Sequence, residues 1–318
     1  MSSADLRVLY VLGIYHSGTT LLGNLAGQLD GYLSVGELRS FWRKATLPKA
    51  QCGCGTLLSE CAVWSPILLS VLGKGEEREA LAREMWQCQR EAVHEVHTWL
   101  RVPGLLRQRG RDLPAGSPLA RYAKGLERLY RAIAEHTGAD VIVDSSKEPT
   151  DAALLLLMPG VQPTFVHIIR DPRGMVNSIL RFRADGQPVV ERRLPRSVYA
   201  ALSWSLGNLA ATAVRRSAAP QRTMLLRYED FIGKPAQTVE ALATMAGRPA
   251  RLATPAEPGT VDMKQVHTVG GNNNRFRTGA IRLSEDTTWR SQLHPLNRAA
   301  VTAVCAPLMS KYGYRLAG

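Results

Sequence analysis

Short apolar runs at residues 7–12, 140–144, 163–169 and 223–227 lack the polar–apolar alternation that marks a strand with one wet face. A strand buried on both faces reads this way, so the run 7–12 predicts a central strand of a parallel sheet and the other three predict its companions. Apolar residues recur at helical spacing over 19–29, 196–218 and 235–246, so strands and helices alternate. The pattern predicts an α/β fold with a central parallel sheet flanked by helices. One stretch departs from it. Leu81, Met85, Cys88, Ala92, Val96 and Leu100 hold helical spacing between residues 76 and 109, and 118–136 is amphipathic, so residues 76–138 predict a helical insertion. His94 and His97, three apart on the first of these helices, read as surface or packing histidines.

The first apolar run breaks at Gly13, and a helix is expected to begin just after Gly18. The segment reads strand, phosphate loop, helix. Backbone N–H groups of Ser17 to Thr20 would converge on an anion at the positive end of the helix, with the hydroxyls of Thr19 and Thr20 as further donors. The spacing Gly13-x4-Gly18 is that of a nucleotide-triphosphate P-loop, but Thr19 stands where the lysine that reaches the β- and γ-phosphates should be. The expected fold is P-loop-like and three-layered, with a loop that lacks its NTPase lysine. An ordinary Gly-rich corner is the plainer alternative.

Ligands of open α/β sheets sit beyond the carboxyl ends of the strands, which puts several other segments on the same rim. Ser145, Ser146 and Lys147 follow the run 140–144. Arg170 stands at the tip of the run 163–169, Pro172 suits the start of a helix, and Ser178 and Arg181 lie three apart on one face of it, a second anion pocket. Tyr228 to Phe231 follow the run 223–227. Gly36 is followed at once by Glu37, which reads either as a functional carboxylate or as an acid favoured by the dipole at a helix start.

Composition changes this picture little. The chain has 318 residues, 45% hydrophobic and 21% charged, enough for one large α/β domain or two small ones. Lys and Arg number 40 against 27 acids, a net charge of +13, which favours anionic ligands. The basic residues are scattered and no nucleic-acid motif appears, so nucleic acid is not the expected partner. No apolar run approaches a membrane span, and the N-terminal run lacks a signal-peptide cleavage site, so a cytoplasmic location is expected. Cys52, Cys54 and Cys61 share one loop and could bind zinc if a fourth ligand came from elsewhere, although their spacing fits no standard zinc module. Pairing of two of them is the other option, and an odd total of five cysteines argues for reduced thiols.

Taken together, the segments His16-Ser17-Gly18-Thr19-Thr20 and Arg170-Asp171-Pro172-Arg173 with Ser178 resemble the two motifs of the sulfotransferases that use 3′-phosphoadenosine 5′-phosphosulfate (PAPS). The likeness is to their bacterial and Golgi-type branch, to which tyrosylprotein sulfotransferase belongs. It runs from residue 7 to about 247, with arginine or lysine usual where this chain has His16. Glu37, Lys147 and Tyr228 correspond in place, and residues 267–275 loosely resemble the Gly-rich basic lid, with Arg275 as its cation. The resemblance implies one sulfotransferase domain over 1–318, with the helical insertion on the acceptor side, and PAPS as co-substrate with no metal required. It implies that His16 to Thr20 and Lys147 hold the phosphosulfate. Arg170 and Ser178, with Arg181 and Tyr228, would fix the 3′-phosphate, and Glu37 would act as general base. The acceptor could be a small molecule, a saccharide or a peptide, and a homodimer is left open. Two alternatives stand beside this one. A nucleotide kinase or other P-loop NTPase would need the missing lysine, and a non-catalytic nucleotide- or anion-binding module would differ only in lacking turnover.

Overall fold

Strand β1 (Leu6–Leu12) is apolar throughout because both of its faces are covered. Val8, Tyr10 and Leu12 point into one core, and Leu9 and Val11 into another, the two-residue period of a strand serving two layers. In the computed structural model, which describes residues 6–93, 98–181, 194–255, 257 and 259–317, β1 is the centre of a five-stranded parallel sheet. Its companions are β2 (Tyr32–Gly36), β3 (Val141–Lys147), β4 (Val161–Ile169) and β5 (Thr223–Arg227), in the order β2-β3-β1-β4-β5. β1 pairs with β3 on one side and β4 on the other, and Leu12 is level with Lys147 and with His167. β3 is longer than its apolar core suggests, since Ser145, Ser146 and Lys147 remain in the strand.

Helix α1 (Thr19–Ala26) packs on the β2 side of the sheet and stops at Gly27, shorter than the expected 19–29. A short helix α2 (Phe41–Ala45) follows β2, and α3 (Trp64–Leu72), α4 (Gly75–Val93), α5 (Val102–Arg107) and α6 (Pro118–Thr137) fill the opposite face. Where one helix is expected over 76–109, the described residues form α4, a 3₁₀ turn at Thr98–Arg101 and α5, with Pro103, which lacks an N–H, in the first turn of α5. His94 and His97 lie outside the described residues. α6 begins at a Ser117 cap, whose hydroxyl accepts from Ala120 N at 3.2 Å, and ends at left-handed Gly138.

After β3 come α7 (Pro149–Leu155), then β4, α8 (Pro172–Arg181), α9 (Leu194–Ser217), β5, α10 (Tyr228–Gly233) and α11 (Pro235–Met245). The C-terminal region adds a two-stranded antiparallel sheet of β6 (Thr260–Met263) and β7 (Gly279–Arg282), then α12 (Trp289–Gln292) and α13 (Pro295–Lys311), which packs on α9. Among the described residues, no helix is long and apolar enough to cross a membrane.

α1 lies so close to β2 that a Cβ at Gly27 would sit 2.4 Å from Ser34 Cβ and 2.5 Å from Ser34 N. Backbone cannot yield as a flexible side chain can. Gly27→Ala should therefore destabilise the protein by about 1–3 kcal/mol, the usual cost of overpacking, read as a lower urea midpoint with an unchanged m-value.

Candidate active site

The loop leaving β1 is built on two left-handed residues. Gly18 has φ 89°, and a Cβ there would lie 2.6 Å from Tyr228 Cδ2. His16 has φ 62°, a conformation that costs a side-chain-bearing residue energy and that clusters at functional sites. The loop delivers α1 with its first N–H groups unsatisfied within the helix and pointing at the rim. Ser17 is 1% exposed, and its Oγ has no hydrogen-bond partner. Thr19 is buried, and Thr20 lines a cavity of about 230 Å³ together with Tyr228, Asn274, Arg277 and Arg282.

Beside the loop stands Lys147, the last residue of β3 and also left-handed at φ 65°. Its Nζ donates to Glu37 Oε1 and lies 4.8 Å from the centre of the Tyr15 ring. The Lys147 side chain is 8% exposed and that of Glu37 22%, so the pair is sheltered with the carboxylate toward solvent. Glu37 is fixed through its backbone. Its N–H donates to Gly270 O at 3.2 Å, and its carbonyl accepts from Ser40 N at 3.0 Å and Ser40 Oγ at 2.7 Å.

The second arginine segment meets the first loop directly. Arg170 Nη1 donates to His16 O at 2.9 Å, and Ser178 Oγ lies 3.1 Å from His16 Nδ1. Arg170 also stacks on the Tyr228 ring at 4.7 Å and pairs with Asp286 at 2.9 Å. Arg181 donates to Thr288 Oγ1 at 3.1 Å. The two regions read as separate anion pockets are thus in direct contact through Arg170, Ser178 and His16. Burial, and then the charges of Arg170 and Lys147, push the His16 pKa down, so the imidazole is neutral near pH 7. Burial works against the Asp286 carboxylate, but hydrogen bonds from Thr288 and the contact with Arg170 outweigh it, and its pKa is lowered. Arg173, part of the same motif, is turned away from the cleft and held by Asp171 at 2.7 Å and the Arg315 carbonyl at 3.0 Å.

Arg275 is 7% exposed and donates to Gln51 O at 3.3 Å, while its Nε and Nη1 have no partner. His267 does not face the cleft, because its Nδ1 is 3.3 Å from Cys61 Sγ. Cys52, Cys54, Cys61 and His267 bring their ligand atoms within 4.8 Å of one another. Sequence reasoning found the three cysteines but not their fourth neighbour, which is 206 residues from Cys61. It also missed Asp286 and Thr288. Their sequence signal is only that of polar residues ahead of a short helix, which reads as a cap.

The floor under Lys147 is a buried polar network. Asp144 accepts from Tyr130 OH at 2.6 Å and from Ser146 N at 2.8 Å, while Arg39 pairs with Glu148 at 2.8 Å and Asp151 at 3.5 Å. Burial pushes the Asp151 pKa up to about 7, with Arg39 opposing and Glu148 and Asp144 adding to the rise.

The sequence model of a family described as the sulfotransferase family matches residues 9–251. Among solved structures, the sulfotransferase domain from the Synechococcus PCC 7002 olefin synthase is 16% identical, with 99% of this chain and 98% of that one covered and a TM-score of 0.53. Sulfotransferase STF9 from Mycobacterium avium is 14% identical, with coverages of 99% and 79% and a TM-score of 0.53. The sulfotransferase domain from the curacin biosynthetic pathway is 15% identical, with coverages of 98% and 99% and a TM-score of 0.50. At such identities the likeness is one of fold. No curated protein matches in sequence.

The Asp151 assignment has a pH signature. A carboxyl whose pKa rises from 3.8 unfolded to about 7 folded stabilises the fold most below pH 4, and the contribution is lost as pH rises to 7. Asp151→Asn should therefore gain on the wild type in denaturant melts between pH 4 and 7 and run parallel to it above. A stability difference that does not change with pH would mean that Asp151 is ionised throughout.

Proposed function

This chain belongs to the sulfotransferase family and is a sulfotransferase, and from that premise we propose that its donor is PAPS and that Glu37 is the general base. The observation that carries the reading is the hydrogen bond from Arg170 Nη1 to His16 O, which joins the phosphate loop to the second arginine segment. A donor with phosphates at both ends of its ribose needs such a cleft, and a donor with a single phosphate chain does not. The unpartnered Ser17 Oγ and Arg275 Nε and Nη1 are buried donors suited to anionic oxygens.

The chain's own groups divide the work. Loop N–H groups, Thr19, Thr20 and Lys147 would bind the 5′-phosphosulfate and offset the charge that collects on the departing phosphate oxygen. Arg170, Ser178 and Arg181 would hold the 3′-phosphate, with Tyr228 against Arg170. The cavity beside Thr20 and Tyr228 suits the nucleoside, with Arg277 and Arg282 at its wall. His16, neutral and bonded to Ser178, would donate a hydrogen bond where relatives carry a cation. Glu37 would accept the proton of the acceptor hydroxyl or amine as the new bond to sulfur forms. The bond from sulfur to the bridging oxygen breaks, and its electron pair stays on the 5′-phosphate. Lys147 bridges both partners, since it touches Glu37 and borders the loop, so it can pass from the base to the leaving oxygen as charge moves.

Acceptor recognition is assigned to the helical insertion, because Gln89 of α4 donates to Arg39 O at 2.9 Å and so braces the turn that follows Glu37. The whole chain acts as one sulfotransferase unit. Five free cysteines suit a reducing compartment, and the cytoplasm is the location proposed.

Turnover of labelled PAPS with an acceptor panel tests this directly. Glu37→Gln keeps shape and loses basicity, and should lower kcat by at least ~10² while leaving affinity for 3′,5′-bisphosphoadenosine unchanged or slightly improved. Wild-type turnover in that variant would assign the base elsewhere. His167 is a poor substitute, being fully buried and held by Asn208 at 2.8 Å.

Asp286 competes for Arg170, so the 3′-phosphate must displace a carboxylate of like charge. Asp286→Ala should therefore tighten bisphosphate binding in calorimetry by roughly tenfold, equivalent to about 1.4 kcal/mol. Weaker binding would show that Asp286 supports the pocket instead of competing for it.

A further inference from the structure

We propose that Cys52, Cys54, Cys61 and His267 bind one structural zinc ion. The four come from two distant parts of the chain, and their ligand atoms all lie within 4.8 Å of one another. Cys61 Sγ is 3.5 Å from Cys52 Sγ, 3.8 Å from Cys54 Sγ and 3.3 Å from His267 Nδ1, and Cys52 Sγ is 3.9 Å from that nitrogen. A regular tetrahedron with zinc–sulfur bonds of about 2.3 Å has sulfur–sulfur edges of about 3.8 Å, and its sulfur–nitrogen edges are about 3.6 Å. The observed distances scatter about those values.

The donor set is three soft thiolates and an imidazole, which selects zinc over calcium or magnesium. Four protein ligands close the coordination sphere and leave no position for water or substrate, so the site is structural. Its surroundings suit a metal thiolate loop. Cys52, Gly53, Cys54 and Gly55 form a tight turn, with Gly55 N donating to Cys52 O at 2.9 Å and Gly55 at φ 92°. Three thiolates and one divalent ion leave a single negative charge. Arg275, which donates to Gln51 O at 3.3 Å, brings a cation to the residue preceding Cys52.

A disulfide is the competing fate of such a cluster. Cys61 is nearly equidistant from Cys52 and Cys54, so the geometry selects neither pairing, and all three sulfurs stand well beyond the roughly 2.05 Å of a covalent bridge. A disulfide would also leave the third cysteine of the group as a lone thiol.

The metal would fasten the loop 52–61 to the strap 266–270. That strap runs alongside the end of β2, where Gly53 N donates to Thr268 O at 2.9 Å, Val269 N to Val35 O at 2.9 Å and Glu37 N to Gly270 O at 3.2 Å. Trp64 Nε1 donates to His267 O at 2.6 Å and completes the clamp. Zinc would thus hold in place the backbone that fixes Glu37, without taking part in sulfuryl transfer. The inference stands whatever the donor proves to be.

The test is metal content. Wild-type protein, purified under reducing conditions without chelator, should contain one zinc per chain by elemental mass spectrometry. Exchange with cobalt should give the thiolate charge-transfer and intense visible bands of a tetrahedral Co²⁺ site. Cys61→Ser and His267→Ala should each weaken zinc binding by more than about tenfold, since even residues that only support metal ligands cost that much, while Cys88→Ser should keep the metal. Wild-type protein that carries no zinc and takes up neither zinc nor cobalt would overturn the proposal, as would a Cys52–Cys61 disulfide found by mass spectrometry of protein purified under reducing conditions. If the ligand variants do not fold, metal content and the cobalt spectrum of the wild type decide alone.

Discussion

Everything at the rim depends on the pairing of β1 with β3 and β4. Both neighbours run parallel to it, and Leu12 is level with Lys147 on one side and His167 on the other. Three successive carboxyl ends therefore open together, and the segments leaving them are Lys147 with Glu148, the loop 13–18, and Arg170. Had any of these strands run antiparallel, its charged residue would have emerged at the opposite edge. Because β1 is covered on both faces, the sheet cannot slide against its helix layers without exposing one core, and the register that brings these residues together is held by apolar burial.

The site concentrates features that burial alone disfavours. His16 and Lys147 are the two non-glycine residues with positive φ among the described residues, at a cost of order 1–3 kcal/mol each. Lys147, Arg170 and Arg275 are largely buried cations. Lys147 and Arg170 are compensated by Glu37 and Asp286, while Arg275 keeps two unpaired N–H groups. Such groups cost stability unless they find charge or hydrogen-bond partners. Arg170 and Lys147 flank the loop 13–18, and fixing cations in this way before charge develops is what electrostatic preorganisation for an anion requires.

The parts legible in the sequence were local. The Gly13 to Thr20 loop and the Arg170 to Arg181 segment each join a strand end to a helix start within a few residues, so spacing and turn chemistry suffice to place them. The apolar runs found four of the five sheet strands, and the fifth, β2, is only five residues long with Ser34 at its centre. What could not be read depends on distant pairing. Asp286 meets Arg170 across 116 residues, Gly270 meets Glu37 through backbone alone, and His267 joins the cysteines from the far end of the chain. The C-terminal region had no strong period to read. β6 and β7 are four residues each, and α13, which buries Val301, Cys305 and Met309 on one face, carries Pro307 within it. The expected continuous helix over 76–109 failed for an opposite reason, since its apolar spacing runs on through the 3₁₀ turn Thr98–Arg101 that precedes α5.

The central claim is that a single cleft, joined through Arg170 and His16, holds two separate phosphates of one nucleotide. Calorimetric titration of the wild type and of Arg170→Ala with 3′,5′-bisphosphoadenosine and 5′-AMP in the presence of a chelator, and with Mg·ATP in its absence, tests it most directly. The account predicts that the wild type binds the bisphosphate far more tightly than either rival and without Mg²⁺, and that Arg170→Ala binds the bisphosphate and AMP alike. Equal affinity of the wild type for the bisphosphate and AMP, or a preference for Mg·ATP, would contradict it.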